Sequence, residues 1–287
     1  MDIFFKDNLN SSDQLYIEQL LCASMAASTD NTGSWGITPA LTDILDADGW
    51  WFAASDPDLI SKSCPVSKTY LSGCMAVYQT GDDSFECVPF VHPDLRKKGI
   101  FSSILAAACE EDQIPGEGSV YFSCGTENKL WKNVLEHIGA EHAWDEYMLE
   151  RKLIISEKTE TDIYCRIVET APENKTEAND TITSGNIVWH AIGCRLNQNI
   201  PLCFTSPEVI CFLAPQGESV YLYSLQVLPE LRNRHLGTAF LSALLPRLAK
   251  KGFKSIKLQV SSENLPAMAL YKKTGFYITQ TLSFYEY

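Results

Sequence analysis

The sequence predicts an α/β (α+β) chain built from two copies of one fold. Three observations carry that expectation: an internal repeat at a fixed offset, the same order of strand, basic turn and helix in each copy, and a size that suits two ordinary domains. Adding 136 to a residue number carries Pro93-Asp94-Leu95-Arg96 onto Pro229-Glu230-Leu231-Arg232, Lys98 onto Arg234, Ile100 onto Leu236 and Leu105 onto Leu241. The same shift carries Gly116 onto Gly252, Ser119-Val120 onto Ser255-Ile256, Glu127-Asn128 onto Glu263-Asn264 and Gly139 onto Gly275. A register held from Pro93 to Gly139 without insertion marks a duplicated unit. With 287 residues, 45% of them hydrophobic, the chain has enough apolar surface to bury a core in each copy.

Ahead of the first unit the spacing predicts a helix over 12–27 and strands over 49–54, 71–79 and 85–91. Trp50 and Trp51, adjacent on one strand, read either as one core and one surface residue or as the lining of a pocket. In the second copy, Val220 to Val227 is rich in aromatic and β-branched residues and ends at Pro229, which predicts a strand. The turn Arg232-Asn233-Arg234-His235-Leu236-Gly237 opens a helix over 238–250, where Phe240, Leu241, Leu244, Leu245 and Leu248 recur at helical spacing and Lys250-Lys251-Gly252 supplies the stop. Ser255 to Val260 alternates as a strand, Leu265 to Lys273 reads as a helix ended by Gly275, and Phe276 to Tyr287 gives closing strands. The polar stretch 156–184 reads as a linker that could contain a strand at 163–168. The expected division is 1–155, linker 156–184, and 185–287. The second copy has less chain before its motif, so part of its wall could come from the first.

Composition excludes several classes. A formal net charge of −13 argues against nucleic acid and anionic membranes as partners, since both need clustered Lys and Arg. An acidic surface favours cationic substrates, and it is also the ordinary condition of soluble proteins. Met1 to Asp7 has no basic start followed by an apolar run, and no stretch approaches a membrane span, so a soluble, cytoplasmic protein is expected. The ten cysteines are scattered singly with no C-x-x-C, which predicts reduced, structural thiols and no metal.

A strand that stops at a basic turn and feeds a helix makes an anion site, because the first amides of the helix have no intrahelical partner and the helix dipole favours negative charge. Arg232, Arg234 and Gly237 fit that role. The turn Arg232-Asn233-Arg234-His235-Leu236-Gly237 resembles the R-x-x-G-x-G/A turn of the GNAT superfamily of N-acetyltransferases. Where that family continues with N-x-x-A-x-x-L-Y and a later G-F, this sequence has Asn264-Leu265-Pro266-Ala267-Met268-Ala269-Leu270-Tyr271 and Gly275-Phe276. The resemblance is close over about 220–287 and looser, through the repeat, over about 71–153.

The resemblance implies two tandem GNAT-like domains, each a mixed, mostly antiparallel sheet flanked by helices, and acetyl-CoA as co-substrate without a metal. It implies that the turn residues Arg232, Asn233, Arg234, His235, Leu236, Gly237 and Thr238 hold the CoA diphosphate. The strand edge at Leu225, Gln226 and Val227 would bind the pantetheine amides, with the Val227 N–H polarising the thioester carbonyl. Asn264 and the small Ala267 would lie along the pantetheine arm, and Tyr271 would protonate the departing thiolate, its phenol being neutral when a thiol ionises. His235 departs from the pattern, standing where the first glycine is expected. The first copy departs further: it keeps Gly99 but has Phe101, Trp131 and Leu135 where the second has Gly237, Ala267 and Tyr271, so it loses the acid.

These implications predict an acyl-CoA-dependent N-acyltransferase whose second copy works and whose first is degenerate, moving acetyl to a primary amine, small-molecule or peptide, by direct attack. No cysteine stands in a recognisable nucleophile pattern. Two other readings stay open: a non-catalytic acyl-CoA-binding sensor, and an aminoacyl or longer-acyl transferase. The acceptor's base is unassigned, with Glu218, Tyr221 and Tyr223 as candidates.

Overall fold

A computed structural model describes residues 2–26, 45, 47–55, 70–110, 118–155, 163–170, 188–195 and 207–287. Cys64, Gly116, Cys203 and the linker residues 156–162 and 171–184 lie outside them. The chain forms two compact units, one of Met1–Asp145 with Leu282–Tyr287 and one of Glu146–Thr281.

Unit 1 holds β1 (Asp2–Lys6), α1 (Ser11–Ala26), β2 (Gly49–Ser55), β3 (Tyr70–Gly81), β4 (Ser84–Val91), α2 (Ile100–Glu110), β5 (Ser119–Gly125), α3 (Lys129–Ile138) and the start of β6 (Glu141–Lys152). Its strands follow the order β1-β2-β3-β4-β5, antiparallel except for the parallel pair β4–β5. The fifth strand is then joined by the end of β12 (Tyr277–Glu286), with Leu282 to Glu286 running antiparallel to Gly125 to Tyr121. Asn10 starts α1 with a reciprocal cap: its Oδ1 accepts from the amides of Ser12 and Asp13, while Asp13 Oδ2 accepts from the Asn10 amide at 3.0 Å. Two cores sandwich the sheet, one against α2 and α3 around Trp51, Ile104, Phe122 and Leu135, the other against α1 around Ile17, Trp50, Phe52 and Phe90. The adjacent tryptophans thus each enter a different core. Neither lines an open pocket, because β2 is covered on both faces.

Unit 2 holds the rest of β6, β7 (Ile163–Thr170), β8 (Val188–Arg195), β9 (Val209–Gln216), β10 (Ser219–Val227), α4 (Leu236–Lys250), β11 (Ser255–Ser261), α5 (Leu265–Lys273) and the start of β12. Its sheet runs β6-β11-β10-β9-β8-β7, antiparallel except for the parallel pair β10–β11. One core lies between this sheet and α4 and α5, around Leu213, Leu222, Phe240, Leu244, Leu248 and Leu258.

Unit 1 is therefore not contiguous in sequence, whereas unit 2 is. By the repeat offset β6 corresponds to β12 and β5 to β11, yet β5 pairs with β12 and β11 with β6. Each unit is closed by the last strand of the other copy, and the division falls at Asp145–Glu146, inside β6, rather than in the polar stretch after it. A strand does fill residues 163–170 within that stretch. β1, β8 and β9 appear in addition to the strands expected from the sequence, and the closing segment is one long strand rather than two.

No helix among the described residues is long and apolar enough to cross a membrane. Cys74, Cys87, Cys124, Cys165, Cys194 and Cys211 are buried and unbridged. Burial pushes the Cys124 thiol up to about 11 and that of Cys165 up to about 12, which keeps both as protonated, inert packing groups. No cluster of metal-ligating side chains occurs among the described residues.

Candidate active site

The parallel strands β10 and β11 pair only over Ser219–Tyr221 and Ser255–Lys257. Beyond Tyr221 they part, and the edge of β10 facing β11 is left without a strand partner. The pairing of β10 with β9 also shifts between Tyr223 and Gln226, and Ser224 in that shift has φ +50°. This bulge changes which residues face the helices. Val220 and Leu222 enter the core before it, Leu225 and Val227 pack against the core after it, and Tyr221 and Tyr223 stand on the opposite face.

Hydrogen bonding shows where the end of β10 aims its amides. The Leu228 N–H donates to Glu208 O at 3.0 Å, toward β9. Because N–H directions alternate along a strand, the Val227 N–H points the other way, into the gap. Gln226, paired with Ile210, has its backbone turned to β9. The Val227 carbonyl accepts from Arg232 Nε at 3.3 Å, which ties the basic turn to the strand end.

A single 3₁₀ turn at Pro229–Leu231 then leads into α4. Asn233 and His235 take φ +60° and +59°, the left-handed region, and His235 is the residue before the helix with no side-chain cap. In unit 1 the corresponding Lys97 and Gly99 have φ +62° and +76°, so the turn is the same and a glycine serves where His235 stands. Arg232, Asn233, Arg234 and His235 are exposed, and Gly237 and Thr238 are half-buried in the first turn of α4. The first amides of α4 thus lie beside exposed guanidinium groups with no side chain of the N-cap over them. A Cβ on Gly237 would come within 3.1 Å of Leu270 Cδ2 and 3.9 Å of Val227 Cγ2. The absent side chain lets α4 begin tight against α5 and the strand end.

Asn264 caps α5, its Oδ1 accepting from the Ala267 amide at 3.2 Å. That oxygen is committed to the fold, a role the motif does not reveal, and only the amide NH2 is left for a ligand. Ala267 and Leu270 pack at the margin of the core. Tyr271 is buried against Phe276, with ring centroids 5.4 Å apart. Burial, followed by the neighbouring Cys211 and Tyr221, pushes its phenol up to about 12, so it holds its proton throughout the neutral range.

Unit 1 has the same frame with its gap filled. β4 and β5 pair only over Ser84–Glu86 and Ser119–Tyr121, and Arg96 Nε donates to Val91 O at 3.4 Å as Arg232 does to Val227. Beyond the last pair, the Trp131 indole N–H donates to Ser123 O at 3.0 Å. The rings of Phe101, Phe122 and Trp131 meet edge to face at 5.3 to 5.9 Å. Asn128 Oδ1 caps α3 as Asn264 caps α5, but its Nδ2 is buried with no hydrogen-bond partner among the described residues.

Glu218 sits at the far end of β10 from Val227, fully on the surface and ion-paired with Lys254. Tyr221 and Tyr223 lie half-buried on the face of the strand opposite the helices. Sequence reasoning missed Glu208, the one charged side chain of unit 2 that is buried among the described residues. Its backbone pairs with Leu228, so register alone places it beside the end of β10, and nothing in a lone glutamate before an apolar strand announces that.

The model of the acetyltransferase (GNAT) family matches residues 193–276, which contain every one of these unit 2 elements from β9 to α5. Over 65 residues the chain is 38% identical to a mycothiol acetyltransferase of Clavibacter michiganensis subsp. michiganensis, a match to 23% of this chain. The chain spans about a fifth of that curated relative's length, 21%. Among solved structures, a tandem GNAT protein from the clavulanic acid biosynthesis pathway superposes with TM-score 0.65 at 12% identity, over 100% of this chain and 98% of that one. A GCN5-related N-acetyltransferase from Sphaerobacter thermophilus superposes with TM-score 0.62 at 13% identity, over 99% and 95%. At these identities the two structures speak for a shared fold.

Proposed function

We propose that this chain, a GNAT protein whose family signature lies in residues 193–276, is an acyl-CoA-dependent N-acyltransferase that works in unit 2. The reading is carried by one observation: the Val227 N–H is turned into a strand gap at the uncapped start of α4, where Gly237 lies against Val227 and against Leu270, the chain neighbour of the buried Tyr271. The diphosphate of acyl-CoA lies on the amides and guanidinium groups of Arg232 to Thr238, including Asn233, Arg234, His235, Leu236 and Gly237. The pantetheine arm runs along Leu225 and Val227, past Asn264 and the small Ala267. Gln226 contributes only its side chain, its backbone being spent on β9.

Acetyl is the acyl group we assign, with a primary amine as acceptor. The neutral amine nitrogen attacks the thioester carbon, and the C=O pair moves onto oxygen, where the Val227 N–H stabilises the oxyanion. Collapse of that intermediate breaks the C–S bond, and the thiolate takes the Tyr271 proton. A phenol held near 12 is a weak acid for a thiolate whose thiol ionises near about 8.5, so the transfer must accompany C–S cleavage rather than precede it. The acceptor's surplus proton leaves to water or a base, and the phenol is reprotonated from solvent.

Unit 1 serves as scaffold. Trp131 occupies the space that Ala267 leaves open, and Leu135 replaces the acid. The decisive experiment is a transfer assay with acetyl-CoA and a panel of primary amines, following thiol release and N-acetyl product. Amine-dependent release is expected; binding without release would leave a sensor, and equal use of long acyl donors would contradict the acetyl assignment.

A further inference from the structure

We propose that the acceptor of unit 2 is a primary amine carried on an aromatic ring, and that the row His190, Phe212 and Tyr223 is the surface that selects it. The inference rests on the reading of unit 2 as the transferase and names the substrate class of that site.

The helices dictate the direction of approach. α4, α5 and Tyr271 all lie on one side of the unit 2 sheet, so a thioester held at Val227 has its leaving group and diphosphate on that side. An amine must therefore come from the opposite face. There Tyr223 is the last side chain before the bulge, and it lies beyond Tyr221, where β10 and β11 part. It stacks on Phe212 with centroids 5.5 Å apart and planes at 25°, and Phe212 takes the His190 ring edge to face at 4.6 Å. The three are direct cross-strand partners on β8, β9 and β10, which is the arrangement that fixes ring positions most firmly in a sheet.

Beside them run Ile192, Ile210 and Gln226, also cross-strand partners. The row is half-buried, not sealed. The same face of unit 1 is closed by α1, whose Ile17, Leu20 and Leu21 pack over Trp50, Phe52 and Phe90. No described helix does this in unit 2.

Among the described residues the row His190, Phe212 and Tyr223 carries no cation or carboxylate and continues onto Val168 of β7, while the row beside it ends on the exposed Arg166, the partner of Ile192. Burial pushes His190 below the ordinary histidine range, so its imidazole is neutral near pH 7 and extends the apolar wall. A polyamine or a sugar amine would find few polar partners here, whereas a ring can lie against Phe212 and Tyr223 with its amine at the gap. Aromatic contact and burial of a ring of that size give tenfold to about a hundredfold in kcat/KM against an equal-length aliphatic or polar amine.

The test compares 2-phenylethylamine, tyramine, ethanolamine, 1,4-diaminobutane and glucosamine as acceptors with saturating acetyl-CoA. The two aromatic amines should lead by at least tenfold. Phe212→Ala should bring the ratio to within about threefold while leaving acetyl-CoA affinity unchanged, and Phe212→Tyr should restore it. If Phe212→Ala does not fold, Phe212→Leu keeps the volume without the ring and should lose most of the ratio. Polar amines that equal or beat the aromatic ones, or a Phe212 variant that lowers every acceptor alike, would overturn the inference and leave the transferase reading intact. Failure of the wild type to bind acetyl-CoA at all would remove both.

Discussion

Tyr271 shows what burial does to a proposed proton donor. Its phenol is held neutral to about 12 by desolvation first and by Cys211 and Tyr221 after, so raising the pH from 7 to 10 should cause no loss of rate through this group. Any alkaline limb in that range then belongs to another residue. The sign for stability is the same: the folded state favours the protonated phenol, so its contribution is complete below about pH 10, the unfolded value, and fades as the pH climbs toward 12. Tyr271→Phe keeps the ring packing and removes the proton, and should lower turnover about 10²- to 10⁴-fold with acetyl-CoA affinity little changed; a variant of near wild-type turnover would end the assignment. His235 carries a different strain, φ +59° ahead of a helix, which histidine tolerates and a β-branched residue does not. His235→Val should cost about 1 to 2 kcal/mol, read as a drop of a few degrees in Tm, while His235→Gly, the residue unit 1 uses, should not.

At the scale of the element, the start of α4 is built by omission. Gly237 leaves room where Leu270 and Val227 close in, and it leaves the first amides of the helix reachable. Gly237→Glu places a bulky carboxylate at the proposed diphosphate site, and should weaken acetyl-CoA at least tenfold, about 1.4 kcal/mol, by calorimetry. Gly237→Ala separates packing from charge, since a methyl group meets only the flexible end of Leu270. The basic turn, α4 and α5 were legible in the sequence, because arginines, glycines and apolar residues at helical spacing act locally, whereas the capping role of Asn264 was not. The bulge at Ser224 was not: a serine with positive φ leaves no compositional trace, yet it decides that Tyr223 and Val227 serve opposite faces. Turn residues do flank β8 and β9, Ser184-Gly185-Asn186 before the one and Ser206-Pro207 and Gly217 around the other, and still neither strand was expected.

For the whole molecule, duplication with divergence predicts one productive site per chain. Trp131 and its ring neighbours fill the unit 1 gap, and a filled core does not admit a ligand without displacing an indole. Titration should give one acetyl-CoA per chain, lost with changes at Gly237 and indifferent to Gly99→Glu; two equivalents, or activity lost through Gly99 alone, would refute this. The repeat revealed that there are two copies but not which strand closes which, because β6 and β12 are interchangeable by pattern and only their partners differ. Fragments cut at the polar stretch should therefore fail alone. Residues 1–155 lack Leu282–Glu286 beside β5 and the buried Tyr285, and 156–287 lack the β6 half that pairs with β11 and the buried Leu149. Neither should give a cooperative melt, and coexpression should restore one; a natively melting 1–155 fragment would contradict the strand exchange. The exchange also sets a timetable on the ribosome. The N-terminal unit is synthesised first, yet the strand that finishes it begins at Leu282, so its β5 edge waits exposed while some 130 further residues are made, a delay of roughly 6 to 26 seconds at about 5–20 residues per second. Both halves then become whole at nearly the same moment, and a chain stalled late in translation would hold not one finished domain but two open ones.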